Sequence, residues 1–187
     1  MKKLILASKS PRRKEILEKC GIPFEIDAAE IDETLRSSLS LTDAIMELSV
    51  RKASAVLERH PDAVVLGSDT IVVIDNRVLG KPHDRNDARS MLEELSGRTH
   101  QVITGLALVS GKKTYTGISV SHVSFAELSE DEITEYLSSG EADDKAGAYG
   151  IQGLAGRFIT NIDGDYYAIM GLPLAMVYQE LKNLNSY

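Results

Sequence analysis

Ser8-Lys9-Ser10-Pro11-Arg12-Arg13 places two hydroxyls and three cations where a short apolar run gives way to a polar segment. Ser10 followed by Pro11 has the form of a helix N-cap with proline at the first helical position. Such an end already carries roughly half a positive charge, so each added Arg or Lys costs about 0.3–1 kcal/mol unless an anion answers it. Backbone N–H groups at a helix start and forked guanidinium groups both suit phosphate oxygens. A solvated cap whose arginines meet surface carboxylates accounts for the stretch about as well. The choice tips toward an anion because Arg13 stands at the third helical position, where a capping box would place Glu.

Asp69 sits inside the apolar run AVVLGSDTIVVI, residues 63–74. A carboxylate between two apolar strand halves needs a cation, a metal or hydrogen bonds, or else it is an Asx-turn residue at a strand break. Glu30, Asp32 and Glu33 form an acidic cluster in a polar loop, which on its own reads as a solvated face. Joined to Asp69, the cluster suits a divalent cation, since Mg²⁺ is usually held by one or two carboxylates with waters and substrate phosphates completing the shell. Lys52 and Lys81 supply point charges for phosphate, although lysines in a helix or a turn are ordinarily just solvated. Neither a Walker A loop nor a GxGxxG after a strand is present.

The bulk of the sequence narrows the class. With 43% hydrophobic and 26% charged residues and no low-complexity tract, the chain reads as one soluble globular domain over 1–187, with room for two lobes. A net charge of −7 gives no general attraction for nucleic acid, so a bound anion must be held by local cations or a metal. The single cysteine, Cys20, excludes an internal disulfide framework, and His60, His83, His100 and His122 show no zinc spacing. Only Leu4–Ala7 are apolar near the N-terminus, too few for a signal peptide, and no apolar run is long enough to span a membrane. A cytoplasmic location with no membrane partner is the expectation.

Strands and helices alternate, which favours α/β. The pattern predicts a strand at 4–7, a helix from Pro11 to near Gly21, a short strand at 24–28, and a helix over 42–59 with Ile45, Leu48, Ala53, Val56 and Leu57 on one face. A strand over 63–74, broken at Gly67–Thr70, precedes a helix capped by Asp84 and running to about Leu95. Strands over 100–110 and 114–125 form a hairpin through Gly111-Lys112-Lys113, and Ser129 with Glu132 makes a capping box for a helix to about Ser139. After the glycine-rich stretch 144–156, RFITNI and YYAIM (166–170) read as strands around a DGD turn, with a last helix from Leu174.

Several short motifs in series, SKSPRR, DE at 32–33, GSDT at 67–70, GKP at 80–82, LSGRTHQVITG at 95–105, DKAGAYGIQG at 144–153 and NIDGDYYAIMGLP at 161–173, together resemble the Maf family over essentially the whole chain. The resemblance implies an inosine-triphosphatase-like fold, a two-lobed single domain around a long twisted mixed β-sheet flanked by helices. It also implies a nucleoside triphosphate pyrophosphatase that cuts between the α and β phosphates and requires a divalent metal, Mg²⁺, Mn²⁺ or Co²⁺. Carried over motif by motif, Asp69 is the proton acceptor, Arg12, Thr70 and Gln152 govern substrate choice, and Glu33, Lys52 and Lys81 belong to the pocket. Within that picture Ser8, Ser10, Arg13, Lys52 and Lys81 bind phosphate, while Glu33 and Asp69 hold the metal. The sequence AGAYGIQG resembles the dTTP/UTP branch, and an amide at Gln152 can pair with the N3–H and a carbonyl of uracil or thymine. Members are often called septum-formation inhibitors and are commonly dimers, so a homodimer is compatible with the resemblance. A nucleotide-binding regulator acting through a division partner, and a phosphomonoesterase, are the competing functions.

Overall fold

A computed structural model of the chain describes residues 2–19, 21–111 and 113–184. Cys20 and the expected turn residue Lys112 lie outside the described residues. In chain order the elements are β1 (Leu4–Leu6), α1 (Pro11–Lys19), β2 (Glu25–Ile26), α2 (Leu41–Leu57), β3 (Val64–Ile74), β4 (Arg77–Leu79), α3 (Arg85–Leu95), β5 (Thr99–Ser110) and β6 (Lys113–Phe125). They continue with α4 (Glu130–Ser138), two 3₁₀ turns (Ala146–Ala148 and Leu154–Phe158), β7 (Ile159–Asp163), α5 (Tyr166–Met170) and α6 (Leu174–Asn183). The strands form one mixed sheet in the order β2-β1-β3-β5-β6-β7, with β4 pairing off β3. β1 runs parallel to β2 and β3, whereas β4 is antiparallel to β3 and β7 antiparallel to β6. Among the described residues no helix is long and apolar enough to cross a membrane.

The chain divides into two compact units, and the boundary on β3 falls between Asp69 and Thr70. The first holds the chain up to Asp69, Thr104–Ser119 and the chain from Gly171 onward. Its core joins Ile5 and Ala7 with Val65, Ala107 and Val109 on the sheet and Ala53 and Val56 on α2. α2 starts at Ser40, whose hydroxyl accepts from the Asp43 N–H, and it buries Ile45, Leu48 and Val56. Each such side chain contributes about 1.5–3 kcal/mol when fully buried. The second unit comprises Thr70–Ile103 and Val120–Met170. Asp84 caps α3, and Ser129 and Glu132 form the expected capping box on α4.

Two expectations are corrected. β3 runs unbroken through Gly67-Ser68-Asp69-Thr70. Gly67 is there for clearance, because a Cβ at that position would collide with the Ser49 carbonyl of α2. Residues 166–170 form the helix α5, not a strand. Asp165 decides this: its Oδ1 accepts from the N–H groups of Tyr167 at 2.8 Å and Ala168 at 3.2 Å, in the manner of an N-cap.

Candidate active site

β1 delivers the chain to Ser8, which is buried and whose hydroxyl oxygen accepts from the Ser10 N–H and from Arg13 Nη1, both at 3.1 Å. Ser10 accepts the Lys14 N–H, so α1 begins where Ser10-Pro11 suggests. Arg13, on the first turn of α1, points inward. Its Nε donates to the Gly171 carbonyl at 2.8 Å and its Nη2 lies 3.6 Å from Asp69 Oδ1. Burial pushes the Arg13 guanidinium below its ordinary value, and the charge of Asp69 opposes that shift. Arg12 is half-buried on the same turn.

Asp69, with a side chain 21% exposed, is held from a second side. Lys52 of α2 is 8% exposed and places Nζ 3.3 Å from Asp69 Oδ2 and 3.1 Å from Glu33 Oε2. One ammonium therefore bridges two carboxylates, one from β3 and one from the irregular segment between β2 and α2. The four charges balance: Arg13 and Lys52 against Asp69 and Glu33. Next to Asp69, the Ser68 hydroxyl donates toward the Gly105 carbonyl at 2.8 Å and the Gly171 carbonyl at 3.1 Å. Gly171 O thus accepts from both Ser68 and Arg13. Nothing in GLP, ahead of the helix from Leu174, announces that the Gly171 carbonyl is an anchor.

The structure brings Ser8, Arg13, Glu33, Lys52 and Asp69 into one network in the first unit, with Ser10 and Arg12 on the adjoining helix start. Thr70, Lys81 and Gln152 belong to the second unit. Thr70 is half-buried on β3, Lys81 is exposed just past β4, and Gln152 is exposed in the turn Gly150–Gly153. The Gly147 N–H donates to the Gly80 carbonyl at 3.0 Å, which ties the glycine-rich stretch to the residue before Lys81. Gly147 needs φ +68°, and a Cβ there would press on the Val72 side chain. Further along, the Leu154 N–H donates to Glu141 Oε2 at 2.9 Å and closes the far side of the Gln152 turn.

A divalent cation can be tested against these donors. Among the described residues no group of three His, Cys, Asp or Glu side chains converges as a closed metal cage. Glu33 and Asp69, meeting at Lys52, form a two-carboxylate oxygen set. Such a pair suits a hard cation that shares the two carboxylates with Lys52, its remaining positions filled by substrate phosphates and water.

The Maf-like protein family model matches residues 3–184. Over 186 residues, 100% of this chain and 97% of the relative, the sequence is 51% identical to the dTTP/UTP pyrophosphatase of Bacillus cytotoxicus. It is also 51% identical to the dTTP/UTP pyrophosphatase of a Bacillus cereus strain, over 99% of this chain and 97% of that one. Among solved structures, a HAM1 protein from Coxiella burnetii aligns over 98% of this chain and all of its own, with TM-score 0.56 and 17% identity, a likeness of fold.

Proposed function

The chain belongs to the Maf family, and on that premise we propose that it is a pyrophosphatase that hydrolyses dTTP and UTP to the nucleoside monophosphate and pyrophosphate. The observation that carries this reading is full-length identity of 51% to a relative bearing that name. The geometry supports it, since a carboxylate oriented by two cations beside a helix N-terminus suits water attack on a phosphoanhydride.

In the proposed reaction, water adds to the α-phosphorus and the bond from that phosphorus to the α–β bridging oxygen breaks, so the oxygen leaves with pyrophosphate. Asp69 either accepts the proton that water sheds or orients that water as a ligand of the cation, since one carboxylate does not do both to the same water. Arg13 and Lys52 fix its two oxygens separately, which aims the carboxylate and restricts its rotation. Ser8, Ser10, Arg13, Lys52 and Lys81 serve the triphosphate, the lysines by charge and the N-terminus of α1 by its dipole. Glu33 and Asp69 would hold a divalent cation, Mg²⁺, Mn²⁺ or Co²⁺, which when bound supplies Lewis acidity to phosphate oxygens. Arg12, Thr70 and Gln152 govern substrate choice, the Gln152 amide pairing with the N3–H and a carbonyl of the pyrimidine. No side-chain nucleophile is needed.

A panel of nucleoside triphosphates with product identification tests the proposal. UTP and dTTP should lead the panel and release pyrophosphate with the monophosphate. Free phosphate without added inorganic pyrophosphatase, or nucleotide binding with no turnover, would overturn it. Gln152→Glu should lower kcat/KM for UTP relative to CTP, and an unchanged ratio would remove Gln152 from base recognition.

A further inference from the structure

Glu33 lies on residues 27–36, which have no regular structure, and its side chain is 59% exposed. Neither a strand ladder nor burial holds it where Lys52 needs it, so something else fixes the loop. Arg51, the neighbour of Lys52 on α2, does this from below. Its Nη1 donates to the Asp32 carbonyl and its Nη2 to the Thr34 carbonyl at 2.9 Å, so one guanidinium grips the backbone on both sides of Glu33. The loop is pre-bent by Asp32, whose Oδ1 accepts from the Thr34 N–H at 2.9 Å and the Thr34 hydroxyl at 2.6 Å. Behind Arg51, Glu47 one helical turn earlier accepts from its Nε at 2.9 Å and fixes the fork's direction. Arg36 closes on the other Glu47 oxygen at 3.2 Å.

We propose that Arg51 is a positioning residue for Glu33. Its forked hold on the Asp32 and Thr34 carbonyls sets the Glu33 carboxylate beside Lys52 and Asp69, a role resting on the reading of Glu33 as a working carboxylate of the site. Adjacent helix positions divide the labour: Lys52 meets the carboxylates, and Arg51 meets the backbone that carries one of them. A planar fork holds two N–H donors at a fixed spacing that spans the Asp32 and Thr34 carbonyls, whereas a lysine ammonium crowds its three donors on one nitrogen and does not reproduce that spacing.

The test combines hydrogen exchange with a double-mutant cycle. In R51A, amide exchange should rise in residues 30–36 while α2 keeps its protection. For UTP turnover, kcat should fall about tenfold or more with KM changing less than about threefold, since small misplacement of a working group is costly. The decisive comparison is R51A/E33Q, which should lie within about threefold of E33Q alone, because a residue acting through Glu33 has nothing left to position. Losses that multiply, or wild-type exchange across 30–36 in R51A, would overturn the proposal. R51K keeps the charge and loses the fork; it should resemble R51A more than wild type, and it carries the same test should R51A fail to fold. If the wild-type protein does not turn over UTP, the exchange measurement still decides the positioning role.

Discussion

Around Asp69, two cations face two carboxylates; around His100, the buried polar atoms belong to an imidazole and a phenol packed among aromatic rings. His100 is 2% exposed, its Nε2 lies 2.7 Å from the Tyr149 hydroxyl, and its ring meets Phe125 and Tyr149 edge to face at 5.3 Å. Its Nδ1 has no hydrogen-bond partner among the described residues. Burial drives His100 down to about 4 and raises Tyr149 and Tyr136 above their usual range. The first cluster gathers opposite charges in partly buried surroundings, as the proposed chemistry would require. The second sheds charge to pack, which marks it as a support.

The largest effects should come from breaking the charged cluster. Asp69→Asn should lower kcat by about 10³-fold or more, as loss of a proton acceptor together with an oriented charge implies. Melting should fall by only about 2–4 °C, a cost of about 1 kcal/mol in a chain this size, because Arg13 keeps Ser8 and Gly171 O and Lys52 keeps Glu33. Lys52→Met removes the shared cation of two carboxylates. Turnover should drop about 10²-fold, and denaturant unfolding should show a loss of about 2–3 kcal/mol.

The aromatic cluster should respond to pH. His100 titrates lower folded than unfolded, so the unfolded chain takes up a proton first. Stability is then complete above its ordinary value near 6.5 and is lost as pH falls toward about 4. Between pH 7 and 4.5 this amounts to about 2–3 kcal/mol, and His100→Gln should flatten that part of the profile in urea titrations at the two pH values. A profile unchanged by the substitution would show that the proton goes elsewhere.

The smallest effect is on the surface. Asp27, gripped by Arg59 at 2.8 and 3.0 Å and by His60 at 2.8 Å, is held down to about 2, so its contribution is present above the ordinary carboxylate value and fades below it. Asp27→Asn should erase that acid-side slope and lower the melting temperature at pH 7 only slightly, because the contribution lost there is that of an exposed ion pair.

Caps and periodicity made much of the fold legible: Ser10-Pro11, the 3.6-residue stripe of α2, the Asp84 cap and the Ser129/Glu132 box all stand where their local chemistry predicts. YYAIM misled because five apolar residues carry no period, and only the Asp165 side chain, outside the run, distinguishes helix from strand. The Gly67–Thr70 step misled for a different reason: its glycine answers a helix packed above it, a contact no local pattern encodes. In the site, the residue types of Glu33, Lys52 and Asp69 suggested charge chemistry, but their convergence on one ammonium is a tertiary fact. Arg51 and Gly171 went unseen because their work is done on and by backbone atoms.

On the proposed function, the charged cluster performs the chemistry and the aromatic cluster supports the fold. Steady-state pyrophosphate release from UTP, measured beside thermal melting for Asp69→Asn and His100→Gln, tests it most directly. Turnover lost in the first with melting near wild type, and turnover kept in the second with its acid-side stability profile flattened, is the predicted pattern. Near wild-type turnover in Asp69→Asn would contradict it.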